Sequence, residues 1–196
     1  MEYNTEEINH LIRHRRSVYP KQYDGRIVPR AIVEQILENA NWAPNHGKTE
    51  PWRFFVFEGK HKNALGEAHA ELYKKIMPTD QFNEQKYHKL MANTQAASHI
   101  IAICMKRQST ERIPEVEEIE AVACAVQNMY LTATAYGVGC YWSSGGATYA
   151  EKFKDYFGLG EKDRLLGFFF LGYTSQEIPD STRQPIADKV TWVGEV

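Results

Sequence analysis

The chain has 196 residues, 43% of them hydrophobic, and 23 Lys and Arg against 25 Asp and Glu give a net charge of −2. A chain of this length buries about 70% of the surface its unfolded form exposes, so it builds one sizeable core without metal or disulfide staples. Disorder, collagen and small disulfide scaffolds are excluded, and neither the net charge nor any local basic run supplies a nucleic-acid-binding field.

The acidic, polar start Met1–Glu7 lacks the basic and apolar segments of a secretory signal, so a cytoplasmic protein is expected. Thr5 is the expected cap of a first helix carrying Ile8, Leu11 and Ile12 at helical spacing and ending near Arg16. Pro29 then opens a second amphipathic helix with Ile32, Val33, Ile36, Leu37 and Ala40, which stops before Pro44. Phe54–Phe57 reads as a buried strand, Ile100–Cys104 as another, with two polar helical stretches between them. From Pro114, Val116, Ile119, Ala123, Val126, Tyr130 and Ala133 predict a long central helix ending at Gly137. Its acidic first turn is a solvated face favoured by the helix dipole, not a metal site.

A short strand Cys140–Trp142, a helix around Tyr149–Phe157 and a strand Leu165–Leu171 follow. The last 25 residues carry little periodicity, so they are expected to be functional or to wrap on a partner, with Val190–Val193 as a candidate added strand. The longest apolar runs fall well short of the roughly 18 residues of a membrane helix. Cys104, Cys124 and Cys140 all sit in apolar segments without CxxC pairing and read as core. No linker or repeat divides residues 1–196, and helices interleaved with few strands favour a single α+β domain.

The chain has no phosphate-loop, HExxH or GxSxG signature, and Gly137-Val138-Gly139 follows a helix where a dinucleotide fingerprint needs a strand. His10 and His14 lie one helical turn apart without an evident third ligand and read as solvated. Three clusters share a theme. Arg15-Arg16-Ser17 puts two cations and a hydroxyl past a helix end, as suits a phosphate. Pro44–Trp52 is a two-proline loop loaded with polar groups. Trp142-Ser143-Ser144-Gly145-Gly146 ends a strand with small residues whose backbone N–H groups can approach a planar ligand.

Taken in order, Arg15-Arg16-Ser17, Trp42–His46, Glu50–Phe54, Gln127-Asn128, Gly137-Val138-Gly139, Gly167–Gly172 and Arg183 resemble the FMN-dependent nitroreductase family, in particular its small bacterial NAD(P)H enzymes. The resemblance spans nearly the whole chain. It implies a mainly antiparallel central sheet packed by helices, in a homodimer whose C-terminal tail lies on the partner and whose FMN sites are at the interface. By resemblance, Arg15, Arg16 and Ser17 contact the FMN phosphate and ribityl chain, and Arg183 adds a second phosphate cation. His46 and Trp42 line the flavin from the other subunit, while Trp142, Ser143, Ser144 and Gly145 lie along the ring. Thr132, Ala133, Thr134, Ala135, Tyr136 and Gly137 match a nicotinamide-nucleotide contact.

No side chain is assigned a catalytic role and no metal is expected, because FMN carries the hydride chemistry from NADH or NADPH to a small electron-poor acceptor such as a nitroaromatic or quinone. Two departures bear on flavin potential and acceptor choice. Glu50 stands where the family usually has Gln, and Ser143 where some relatives have Arg. The alternatives are a flavin enzyme with another redox reaction, such as dehalogenation or ring oxidation, decided around Pro78–Gln95; a non-catalytic flavin-binding module; and a thiol enzyme built on Cys140.

Overall fold

Unbroken apolar runs need cover on both faces, and here they supply the middle of a sheet. In the computed structural model, which describes residues 2–194, β2 (His99–Met105) and β4 (Arg164–Gly172) are the two central strands. The sheet order is β1-β2-β4-β3, with β1 at Trp52–Phe57 and β3 at Gly139–Ser143, and every neighbouring pair is antiparallel.

Alternation along β2 divides the core into two layers. Ile101, Ile103 and Met105 pack with Phe169 and Leu171 under α2 (Arg30–Ala40) and α5 (Glu115–Ala135). Ile100, Ala102 and Cys104 pack with Phe168 and Phe170 against Leu65, Phe153 and Phe157 on the opposite face. Leu65 belongs to α3 (Gly59–Ile76), which pairs with α4 (Glu84–Ala96). Phe153 lies in α6 (Glu151–Lys154), and Phe157 in a 3-10 turn continuing it, so the helix expected over Tyr149–Phe157 is shorter and split. At 21 residues, α5 spans about 32 Å at 1.5 Å per residue and is the predicted central helix.

Several sequence expectations need correction. The first helix, α1 (Thr5–His14), is capped by Asn4, whose side chain accepts from Glu6 N at 3.0 Å and Glu7 N at 3.3 Å, and it ends before the arginine pair. Asparagine outcompetes threonine here because its carbonyl reaches both free N–H groups. Strand β1 is an edge strand, and Phe55 and Val56 on it are exposed. Cys104 and Cys140 are buried, but Cys124 is exposed on α5. Val190–Val193 forms no strand: the tail holds only a 3-10 turn at Ile186–Lys189, and its apolar residues project into solvent.

An irregularity in the sheet fixes the end of β3. The β2–β4 register slips between Ile103 and Cys104, leaving Leu166 as the extra residue, and Gly167 beside it has φ +136°. A Cβ there would lie 2.6 Å from the Ser143 carbonyl oxygen and 2.5 Å from the Trp142 indole nitrogen. Only glycine tolerates both that dihedral and that approach, and the Trp142 indole then donates to the Leu166 carbonyl at 3.1 Å. Strand β3 is thereby pinned to β4 at the point where the chain leaves the sheet.

Candidate active site

The turn after α1 is docked onto β3 by Val18 N donating to the Cys140 carbonyl at 2.9 Å. This brings Arg15 and Ser17 to Tyr130 of α5. The Arg15 guanidinium lies 5.0 Å from the Tyr130 ring centre, with Ser17 two residues further along the same turn. The Tyr130 hydroxyl in turn accepts from Trp142 N at 2.7 Å. Burial raises the Tyr130 pKa above the ordinary phenol value, so the hydroxyl stays protonated. One tyrosine therefore ties the Arg15–Ser17 turn to the strand end. In the sequence it stands out only as one apolar position of the central helix.

Arg15 makes no ion pair among the described residues. Arg16 is occupied: it donates to the Arg13, Arg15 and Pro179 carbonyls and pairs with Asp180 at 3.0 Å. Arg183 bonds only Ser181 and Thr182 beside it. Of the three predicted phosphate cations, Arg15 and Arg183 make no ion pair among the described residues, and Arg15 is the one packed on a core side chain, Tyr130.

Trp142, Ser143, Ser144, Gly145 and Gly146 line a cleft of about 1170 Å³ together with Tyr19–Lys21 and α4, which contact each other. Among the described residues, the backbone N–H groups of Ser144, Gly145 and Gly146 have no hydrogen-bond partner, so three successive donors border the cleft. The loop is held from beneath by His69 of α3, which is 6% exposed and packs between Phe153 and Phe168. Its Nε2 accepts from Ala147 N at 3.0 Å and lies where a Cβ on Gly146, itself at φ +70°, would come within 2.6 Å. Burial pulls the His69 pKa down to about 4, so the ring is the neutral acceptor this bond requires.

His46 and Trp42 do not line this cleft. Trp42 is 78% exposed and donates to Glu38 at 3.0 Å; His46 Nδ1 is 2.6 Å from a Glu117 carboxylate oxygen. The loop between them and β1 is strained, with Gly47, Lys48 and Glu50 all at positive φ. Glu50 N is held by Asn45 Oδ1 at 3.1 Å. Such strain persists only where surrounding bonds fix it.

The stretch Thr132–Gly137 also lies elsewhere. Thr132 accepts from Asn39 at 2.9 Å, Ala133 is in the core, and Thr134 and Ala135 line a separate concavity with Glu6, Glu7, His10 and His14. There the His10 and His14 rings stack at 3.8 Å, and the described residues contain no group of three or more potential metal ligands.

Cys140 is fully buried, and burial drives its thiol pKa well above the ordinary value. A nucleophile there has neither thiolate nor access, which removes the thiol-enzyme reading.

The family profile described as "Nitroreductase family" matches residues 12–173. The chain belongs to the nitroreductase family. It is 30% identical, over 92% of its own length and 91% of the other's, to YfhC of Bacillus subtilis (strain 168), provisionally named an NAD(P)H nitroreductase. It is also 30% identical to the similarly named YdjA of Escherichia coli (strain K12), over 76% of this chain and 83% of that one. Its fold superposes on a nitroreductase-like family protein from Bacillus cereus with a TM-score of 0.80 at 26% identity, covering 98% of each chain. A provisionally named nitroreductase of Desulfovibrio desulfuricans, solved in complex with FMN, superposes with a TM-score of 0.73 at 24% identity over 98% and 99% of the two chains. The α+β architecture expected from the sequence is that of the family, and the matched region contains Arg15, Ser17, His69, Tyr130 and the Trp142–Gly146 cleft wall. No helix among the described residues is long and apolar enough to cross a membrane.

Proposed function

We propose that this family member is an FMN-dependent NAD(P)H oxidoreductase that reduces electron-poor acceptors such as nitroaromatics and quinones. The observation that carries this reading is the joining of two free sets of groups through Tyr130, which packs under Arg15 and holds the backbone of Trp142 at the edge of the cleft. An unpaired Arg15 with Ser17 suits a phosphate, and three unpartnered backbone N–H groups at Ser144–Gly146 suit the heteroatom edge of a planar ring. The cleft exceeds the 300–1,000 Å³ usual for small-ligand sites, as a flavin with a second ring above it requires. When bound, FMN supplies hydride transfer from a reduced nicotinamide and onward delivery of the electron pair.

The chain's own part is positional. Arg15 and Ser17 hold the phosphate, Tyr130 fixes their distance from the strand end, and His69 holds the loop that carries the free N–H groups through Ala147 N. Donor and acceptor use the same open face in turn. For a nitro compound the balance is one NAD(P)H and one proton consumed, with nitroso product, oxidised nicotinamide and water formed. Direct support is visible colour: the purified chain is expected to show flavin absorption that bleaches with NADPH or NADH under anaerobic conditions. Retained colour after either donor would favour a flavin-binding module.

We also infer a homodimer. Ile8 and Ile12 on α1, Val116 on α5, and Trp42 stand exposed and apolar, and Trp192 and Val193 of the tail are 88% and 96% exposed. Exposed apolar side chains on several elements of one chain support a surface covered by a second copy. A second copy would cover it and bring its own His46, Trp42 and tail, with Arg183, to the flavin. Light scattering is expected to give twice the chain mass; a monomer with full FMN occupancy would contradict this arrangement.

A further inference from the structure

Beside the Trp142–Gly146 loop, the lining of the cleft is cationic. Helix α4 presents Lys86 and Lys89 to it, one helical turn apart, and Lys21 enters from the turn after Pro20. None of the three makes an ion pair among the described residues, and no carboxylate lines the cleft. Acidic neighbours are diverted. Glu84, the one acid of α4, lies toward His88 at 3.8 Å, and Glu71 of α3 is taken by the Tyr87 hydroxyl. The Lys86 ammonium lies over the Tyr73 ring, 5.2 Å from its centre, a contact that keeps its full charge, and it is close enough to His69 to add to the lowering of that pKa. All three lysines are exposed, and together they border one concavity whose lining holds no acid.

Resting on the flavin reading, we propose that Lys21, Lys86 and Lys89 form an anion-selecting wall that directs the enzyme toward acceptors bearing a carboxylate or similar anionic group. A cation within reach of an anion in a partly enclosed cleft of intermediate dielectric acts much more strongly than in bulk water, so the charge pattern discriminates between acceptors of equal ring size. An anion can also arrive as a phosphate of the dinucleotide donor. Separate half-reactions distinguish the two sources.

The test uses the FMN-loaded protein, reduced anaerobically with dithionite and mixed with 4-nitrobenzoate or with neutral 4-nitrobenzamide, while reoxidation is followed by flavin absorbance. Free reduced FMN with the same two acceptors corrects for their intrinsic reactivity. The expected result is a corrected preference for the carboxylate of about tenfold at low ionic strength, declining in 0.5 M salt and lost in K86Q/K89Q. A corrected ratio near one, or a preference that survives K86Q/K89Q, overturns the proposal. So does a variant that slows both acceptors equally, which would place the lysines on the flavin, or one that alters only reduction by NADPH, which would place them on the donor. A chain that takes up no FMN overturns the flavin reading and this proposal with it; a flavin-loaded chain without the preference overturns this proposal alone.

Discussion

Replacing Arg15 with alanine is expected to weaken FMN binding roughly 10- to 100-fold, since charge-assisted hydrogen bonds to a phosphate contribute about 1.5–3 kcal/mol and 1.4 kcal/mol is tenfold. The fold should barely notice, because the guanidinium makes no ion pair and loses only its approach to the Tyr130 ring, about 0.5–1 kcal/mol at a partly exposed site. Titration of the apo chain with FMN, followed by quenching of flavin fluorescence, measures the first quantity, and thermal melting measures the second. Arg16→Ala provides the contrast. Its side chain is spent on the Asp180 pair and on backbone carbonyls, so its loss should loosen the tail more than it weakens FMN binding. Equal FMN affinity for Arg15→Ala and the parent chain would remove the phosphate assignment of this turn.

Acidification is expected to act through His69. Its folded pKa of about 4 lies below the ordinary value of 6.5, so between these values the unfolded chain binds the proton and the folded chain does not. Stability from this group is thus fully present above pH 6.5 and is lost as pH falls toward 4, by roughly 3 kcal/mol in all at 1.36 kcal/mol per unit. Protonation also abolishes the acceptor for Ala147 N, so the loop carrying the Ser144–Gly146 donors should be released over the same range. His99, whose pKa is also lowered by burial, adds to the slope with the same sign. Denaturant titrations from pH 4 to 7 on the parent and on His69→Ala separate the two. The variant should be less stable at pH 7 by roughly 2–4 kcal/mol, from the cavity and the orphaned N–H, and should show a shallower dependence on pH. An unchanged slope would dissociate His69 from the acid response.

Much of the fold was legible because its signals are local. The runs Ile100–Cys104 and Leu165–Leu171 proved to be the doubly covered central strands, and the acidic first turn and regular spacing of α5 gave the central helix within two residues at its C-terminal end. What sequence could not give was which side of an apolar element has a neighbour. Phe54–Phe57 looks as apolar as the central strands yet lies at the edge, and Cys124 sits among apolar residues on a face of α5 that its own chain leaves open. At the site, the phosphate turn and the strand end were visible as residue types. Tyr130 and His69 were not, because each acts through one hydrogen bond to the backbone of another element, Tyr130 to Trp142 of β3 and His69 to Ala147 in the loop after it. The lysine wall was equally hidden, since Lys21 lies more than sixty residues from α4 and only the fold brings them to one cleft.

The measurement that reaches the central claim most directly is an anaerobic absorption spectrum of the purified chain, reconstituted with FMN, before and after one equivalent of NADPH or NADH. Flavin bands that bleach with the donor, and return when a nitroaromatic or quinone is added, are the predicted result; the acceptor-dependent return shows that the cleft serves both half-reactions. A chain that stays colourless after incubation with FMN, or whose bound flavin neither donor reduces, would contradict an FMN-dependent oxidoreductase built on Arg15, Ser17 and the Ser144–Gly146 N–H groups.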